Sequence, residues 1–136
     1  MQAPSAMNEQ PWHFILIRDK GLQEKIPSIH PYASMAKSAS AAVLVCADKK
    51  LEATNGFLVQ DCSAAAENIL LAAHARGLGA VWCGICPNEE RMALFSKMFG
   101  LPPNIFPFAL IPIGYPAEEK KPENRYREDR VHKNKW

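Results

Sequence analysis

The run from residue 62 to residue 76, CSAAAENILLAAHAR, constrains this chain more than any other stretch. Only Ser63, Glu67, Asn68, His74 and Arg76 in it are polar. A helix that is apolar nearly all round is buried on most of its sides. Asp61 stands just ahead, placed to cap the free amides of a first turn. Gly77 stands where a left-handed cap would end the helix. The pattern predicts a helix over residues 62–77 with Asp61 as its N-cap. His74 reads as a helix-end residue beside Arg76, where the helix dipole favours positive charge. A chain of 136 residues is one domain and buries about two-thirds of the surface its unfolded form exposes. In a domain this small such a helix suggests a subunit interface. Ala64, Ala65, Ala66, Ala72, Ala73 and Ala75 would let a partner approach closely.

The rest of the chain reads as short elements around that helix. Residues 12–18 (WHFILIR) and 41–47 (AAVLVCA) are apolar runs of buried-strand length. Residues 21–26 read as a short helix or turn closed by Pro27. Residues 30–37 read as irregular chain with room for one helical turn, and 48–56 as a polar loop. Residues 79–85 form a third strand candidate. Asn88 caps a second helix, with Glu89 and Glu90 in its favourable first turn. Met92, Leu94, Phe95, Met98 and Phe99 form its apolar face, and Gly100 ends it. Pro102-Pro103 is a rigid turn before a last strand over 106–114. Pro107 and Pro112 there forbid full pairing on both sides.

Composition narrows the class. The chain is 48% hydrophobic and 22% charged, as globular domains are, and a net charge of +2 gives no case for nucleic acid. No apolar run approaches the roughly 20 residues a membrane span needs, and no secretory leader pattern opens the sequence. The expectation is a cytoplasmic protein. Residues 116–136 hold seven Lys and Arg against five Asp and Glu, leaving nine of each sign before them. That segment lacks the apolar periodicity to build a core of its own. It is either a solvated tail or an arm that wraps a partner or an anionic ligand.

Four cysteines are present: Cys46, Cys62, Cys83 and Cys86. Cys46 reads as a small buried hydrophobe. Cys83-Gly84-Ile85-Cys86 has thioredoxin-type spacing, and its alternative reading is two incidental thiols at a strand end. A structural zinc would need two further ligands, and no second CxxC or HxxxH exists, so no metal is expected.

Residues 3–12 (APSAMNEQPW) precede a strand, and 59–73 (VQDCSAAAENILLAA) open the long helix. Residues 77–84 (GLGAVWCG) run into 87–91; 110–116 (LIPIGYP) and 125–136 follow. In order and spacing these segments resemble the nitroreductase family of FMN flavoproteins, over nearly the whole chain. The resemblance implies an α+β fold with a mainly antiparallel sheet flanked by helices, and an intertwined homodimer about the long helix. It implies a flavin domain over 1–115 and a charged arm over 116–136 that packs on the partner subunit. FMN would lie at the dimer interface. Pro4, Ser5, Ala6 and Asn8 match the family's Pro-Ser-x-x-Asn motif and would contact the flavin and ribityl chain. Trp82, Cys83, Gly84 and Ile85 would lie along the isoalloxazine, with a backbone amide near its reactive nitrogen. Arg125 matches a C-terminal basic position that reaches the phosphate side.

The implied activity is electron transfer from NADH or NADPH, through FMN, to a small acceptor such as a nitroaromatic or quinone. A flavin carries the electrons while the protein orients it and tunes its charge, so no obligatory acid or base is expected among the side chains. The phosphate calls for guanidinium, whose planar fork offers two hydrogen bonds. His13 reads as structural, and Tyr32 and Lys37 as pocket-lining candidates. One departure stands out. Family members usually carry an Arg-Arg-Ser-x-Arg helix well before the position of Pro4, and the sequence begins at Met1 without it. A shortened chain and a natural variant with a depleted phosphate site are both open. Losing several charge-assisted bonds, at about 1.5–3 kcal/mol each, would weaken FMN. The rivals are a dithiol oxidoreductase through Cys83 and Cys86 and a cofactor-poor dimeric remnant of the fold.

Overall fold

The computed structural model describes residues 1–53 and 55–136. In chain order its elements are β1 (Trp12–Ile17), α1 (Lys20–Ile29), β2 (Ala41–Asp48), α2 (Leu58–His74), β3 (Gly79–Ala80), β4 (Cys83–Gly84), α3 (Glu89–Phe99) and β5 (Ile105–Gly114). Every strand pair is antiparallel, in the order β1-β2-β5-β3, with β4 also on β5. This is an α+β sheet covered on both faces. One core holds Val45, Ala47, Phe108, Ala109 and Ile111 against Leu58, Cys62, Ala65 and Ala66 of α2. The other holds Ala42, Leu44, Cys46 and Leu110 against Ile26 of α1 and Phe95 of α3. β2 is therefore apolar from Ala41 to Ala47 because both of its faces are buried.

β5 is a central strand despite its two prolines, and each proline sits at a flaw in the pairing. Val45 opposes Ala109 but Cys46 opposes Pro107. Phe108 is the extra residue of a bulge, where a missing ladder donor is tolerated. The slip of one residue turns both Phe108 and Ala109 toward the α2 core. On the other edge Gly79 opposes Gly114, Ala80 opposes Ile113, Cys83 opposes Leu110 and Gly84 opposes Ala109. That register puts Val81 opposite Pro112, which has no N–H to give. The single strand expected over 79–85 is accordingly two short pieces, broken at Val81 and Trp82.

Other expectations are corrected. The long helix begins at Leu58, with Phe57 as N-cap and no side-chain cap bond. Asp61 lies inside the first turn and bonds elsewhere. In the single chain α2 is not buried on most sides: Ala65, Ala66 and Ala73 are covered, while Val59 and Leu71 stand 48% and 58% exposed. Pro27 does not close α1, which starts at an Asp19 cap and runs through to Ile29. Residues Pro31–Lys37 form a 3-10 segment kinked at Ala33 rather than irregular chain. In the 48–56 loop Lys49–Leu51 make one 3-10 turn, and Thr54 lies outside the described residues. On α3 the Asn88 cap, with Oδ1 accepting from the Arg91 amide, and the left-handed Gly100 are as expected. Leu94 is the exception on its face, 37% exposed. After Gly114 every residue is exposed and the only element is a 3-10 turn at Glu128–Arg130. Among the described residues no helix is long and apolar enough to cross a membrane.

Candidate functional site

The expected flavin-facing residues Trp82, Cys83, Gly84 and Ile85 occupy the outer edge of β5. Alternation of the strand sends Cys83 and Ile85 into the α1/α3 core and leaves Trp82 against the α2 core, edge-on to Phe108 at 5.5 Å between ring centres. Gly84 lies between them with an open face: a Cβ built there would meet nothing closer than the Trp82 Nε1, at 3.9 Å. The Ile85 and Cys86 amides both donate to the Phe108 carbonyl. That phase of the ladder turns the Gly84 backbone groups away from β5. Its carbonyl accepts from His30 Nε2 at 3.0 Å and from Arg91 Nη1 at 2.8 Å. The Gly84 face, free of a side chain and bordered by the Trp82 indole, fits an aromatic ring laid along it, and on this observation the residues fit the isoalloxazine.

The edge runs on into a cleft of about 250 Å³ beside Met35, Ala39, Gly79, Val81 and Tyr115. That lies below the roughly 300–1,000 Å³ of ordinary ligand pockets. Tyr32, exposed, offers its carbonyl 3.9 Å from the Cys83 thiol, and Lys37 is exposed at the end of the 3-10 segment. His13 is apart from this edge. It faces Asp48 across 3.6 Å, whose carboxyl is held below the usual range by an Asn104 hydrogen bond and then by the Lys50 amide and His13.

Pro4, Ser5, Ala6 and Asn8 form a tight segment over the start of α2. Met7, Asn8 and Gln10 all have positive φ, at 48°, 58° and 51°. Such left-handed residues cost about 1–3 kcal/mol each and gather at ligand clamps and active sites. Ser5 Oγ accepts from the Gln10 amide, and Asn8 Oδ1 from the Gln10 side chain. Asp61, 5% exposed, explains how the segment is held: its Oδ1 accepts the Ala6 amide at 3.0 Å. Asp61 Oδ2 is buried with no hydrogen-bond partner among the described residues. The carboxylate read as a helix cap is a clasp on the motif.

Cys83 and Cys86 are not bonded to each other. Cys83 packs in the α1/α3 core and Cys86 against the α2 core, on opposite faces of the sheet. All four cysteines are free. Burial pushes the Cys83 and Cys86 thiols up, against a lesser opposing effect of Arg91 on Cys83. A reactive dithiol needs the reverse shift. Cys46 and Cys62 are pushed up to about 12 by burial.

The chain thus brings Trp82 to Ile85 together, and separately Pro4 to Asn8, while Ala3 and Trp82 touch the same α2-side core. Arg125 joins neither: it bonds Glu123 at 3.2 Å, with its side chain 85% exposed. His30, Arg91 and Asp61 are the functional candidates that sequence reasoning missed. A pattern along the chain cannot show that residues 30 and 91 meet at one carbonyl.

Comparison with known proteins bears on the family and the fold. Residues 23–115 match the model of the nitroreductase family. A relative from Methanothermobacter thermautotrophicus, provisionally named NADH dehydrogenase/NAD(P)H nitroreductase, is 50% identical over all of this chain and 71% of its own length. A similarly named relative from Archaeoglobus fulgidus is 48% identical over all of this chain and 80% of its own length. The crystal structure of a protein provisionally named NADH oxidase, from Clostridium acetobutylicum, superposes with TM-score 0.95 at 43% identity, over all of this chain and 82% of that one. A provisionally named nitroreductase from Desulfovibrio desulfuricans, solved in complex with FMN, superposes at 0.81 and 28% identity, over 99% and 78%. By its family match, its half-identical relative and its fold, the chain belongs to the nitroreductase family.

Proposed function

We propose that this protein is an FMN-dependent oxidoreductase that takes electrons from NADH or NADPH and passes them to a small acceptor, with nitroaromatics and quinones as the acceptor classes. The observation that carries the reading is the open, glycine-faced strand edge at Gly84, in a chain whose relatives are named NAD(P)H nitroreductases. FMN, when bound, supplies hydride and electron transfer. The protein's part is orientation. Trp82, Cys83, Gly84 and Ile85 present a flat backbone to the ring, and Pro4, Ser5, Ala6 and Asn8 present a clamped loop to the ring and ribityl chain. The two segments are separate within one chain, and α2 leaves Val59 and Leu71 open. A homodimer packed on that face, with each site built from both subunits, accounts for both facts. In it the 116–136 arm packs on the partner, and Arg125 exchanges its exposed Glu123 contact for the FMN phosphate.

The visible absorption spectrum of the purified protein, before and after adding FMN, tests the reading. A flavin band that NADH or NADPH bleaches and a nitroaromatic or quinone restores is the expected result. A protein that takes up no FMN at micromolar concentration is the cofactor-poor remnant, and the reading fails.

A further inference from the structure

Resting on the flavin reading, we propose that His30 and Arg91 are positioning residues that clamp the Gly84 peptide by its carbonyl, so that the strand edge meets the flavin in one fixed orientation. Glycine is what leaves that edge open, and glycine is also the residue with most backbone freedom. β4 is only two residues long, Cys83 and Gly84, and the strand is already broken just before it. The sheet holds this peptide on one side only, through the Ile85 amide on the Phe108 carbonyl, so its carbonyl side is held from outside the sheet or not at all. The carbonyl has two lone pairs, and both are taken: His30 Nε2 at 3.0 Å and Arg91 Nη1 at 2.8 Å.

The two donors come from different elements and are themselves held. His30 follows α1, is 2% exposed, and stands edge-on to Phe95 and Tyr32 at 6.2 and 6.4 Å. A carbonyl only accepts, so the Nε2 of His30 carries the proton and Nδ1 is bare; Nδ1 is buried with no hydrogen-bond partner among the described residues. Burial, then the Arg91 charge, push the His30 pKa down, against a lesser opposing effect of the Gly84 hydrogen bond. Arg91 lies in the first turn of α3, whose start the Asn88 cap fixes. The guanidinium does a second thing. It sets a full positive charge one carbonyl away from the edge where the reduced flavin, anionic near N1, would lie. Such a charge favours the reduced form over the oxidised one. A carbonyl at the end of an edge strand could be satisfied by water; a buried histidine and an arginine converging on it make a clamp.

The test uses the FMN-loaded protein and four variants: Arg91→Met, Arg91→Lys, His30→Leu and His30→Gln. Circular dichroism checks folding, and hydrogen exchange at the Gly84 and Ile85 amides is read in the FMN-free protein. Arg91→Met is expected to reduce the preference for reduced over oxidised FMN by about tenfold, a fall of about 30 mV in the two-electron midpoint potential. Arg91→Lys restores most of it. His30→Leu is expected to speed exchange at Ile85 by tenfold or more and to lower kcat more than it changes KM for the reductant. His30→Gln, which keeps an N–H donor, recovers both. If Arg91→Met or His30→Leu does not fold, Arg91→Gln and His30→Ala take their place with the same exchange, potential and kcat readouts. Folded donor-removing variants with wild-type exchange, potential and kcat overturn the clamp. Wild-type protein that binds no FMN overturns the functional reading instead, so the two failures are distinguishable.

Discussion

Single side chains decide which chemistry this chain can carry. Cys86 is the residue a dithiol mechanism could not lose, yet it lies across the sheet from Cys83 and burial raises its pKa. Cys86→Ser is therefore expected to leave flavin-dependent turnover within about tenfold, roughly 1.4 kcal/mol in the barrier. Steady-state rates with NADH and a quinone measure it, and complete loss with FMN still bound would move the case to the thiols. His30 also sets a pH dependence. It is faced by the Arg91 charge from α3, the Gly84 carbonyl from β4, and the Phe95 and Tyr32 rings. Burial and Arg91 hold its pKa below the ordinary value in the folded chain. Above about pH 6.5 the ring is neutral folded or unfolded, and its contribution to stability is fully present. As pH falls below that, the unfolded chain takes up a proton that the folded chain refuses, and stability declines until the folded pKa is reached. Urea midpoints taken between pH 7.5 and 5.5 should fall in the wild type and fall less in His30→Gln. Equal slopes would mean that the histidine does not change its protonation on unfolding.

Among the elements, α2 is the one on which the proposed dimer rests. Its inner face buries Cys62, Ala65 and Ala66 on the sheet, and Leu71 stands 58% exposed on the outer one. A glutamate at Leu71 should cost the single chain little, since surface changes usually lie within about 0.5 kcal/mol, but it would put an unpaired charge into a helix-to-helix contact. Sedimentation at micromolar concentration should show a dimeric wild type and a folded, monomeric Leu71→Glu. A folded wild-type monomer under those conditions removes the dimer from the account. The same helix shows what a sequence can and cannot convey. Its apolar character was legible, as were β2 and the capped α3, because period, length and caps are properties of neighbours along the chain. Its start was not. A carboxylate ahead of an apolar run looks alike whether it caps the helix or reaches a loop, and Asp61 bonds Ala6, 55 residues away. The break at Val81 was hidden for the same reason: Pro112 acts on it across the sheet. Pro27 misled because losing one amide bond does not outweigh burying Ile26. Of the site, the motif positions were legible, whereas the clamp on Gly84 exists only once α1, β4 and α3 have come together.

At the scale of the whole molecule the open matter is where the phosphate's charge is met. The strand edge at Gly84 offers backbone and an indole, and Arg91 is committed to the Gly84 carbonyl. The body up to residue 115 carries as many negative as positive side chains, while the segment after it holds seven Lys and Arg. In the single chain three of those cations are spent locally, Arg125 on Glu123, Lys120 on Glu118 and Arg127 on Asp129, all at 3.2 Å and all well exposed. Exposed pairs of this kind contribute about 0–1 kcal/mol, so a phosphate can displace a carboxylate at small cost. A guanidinium can then meet the phosphate with two parallel hydrogen bonds. Arg125→Ala should accordingly weaken FMN far more than riboflavin, which has the same ring and ribityl chain but no phosphate. The loss for FMN should shrink as salt rises, because the exposed part of the attraction is screened within about 8–10 Å near physiological ionic strength. Fluorescence titrations of both flavins, against both proteins, at low and high salt, measure this directly. Equal losses for the two flavins would show Arg125 acting on the ring or on the fold of the arm, and the phosphate would have to be held by another cation.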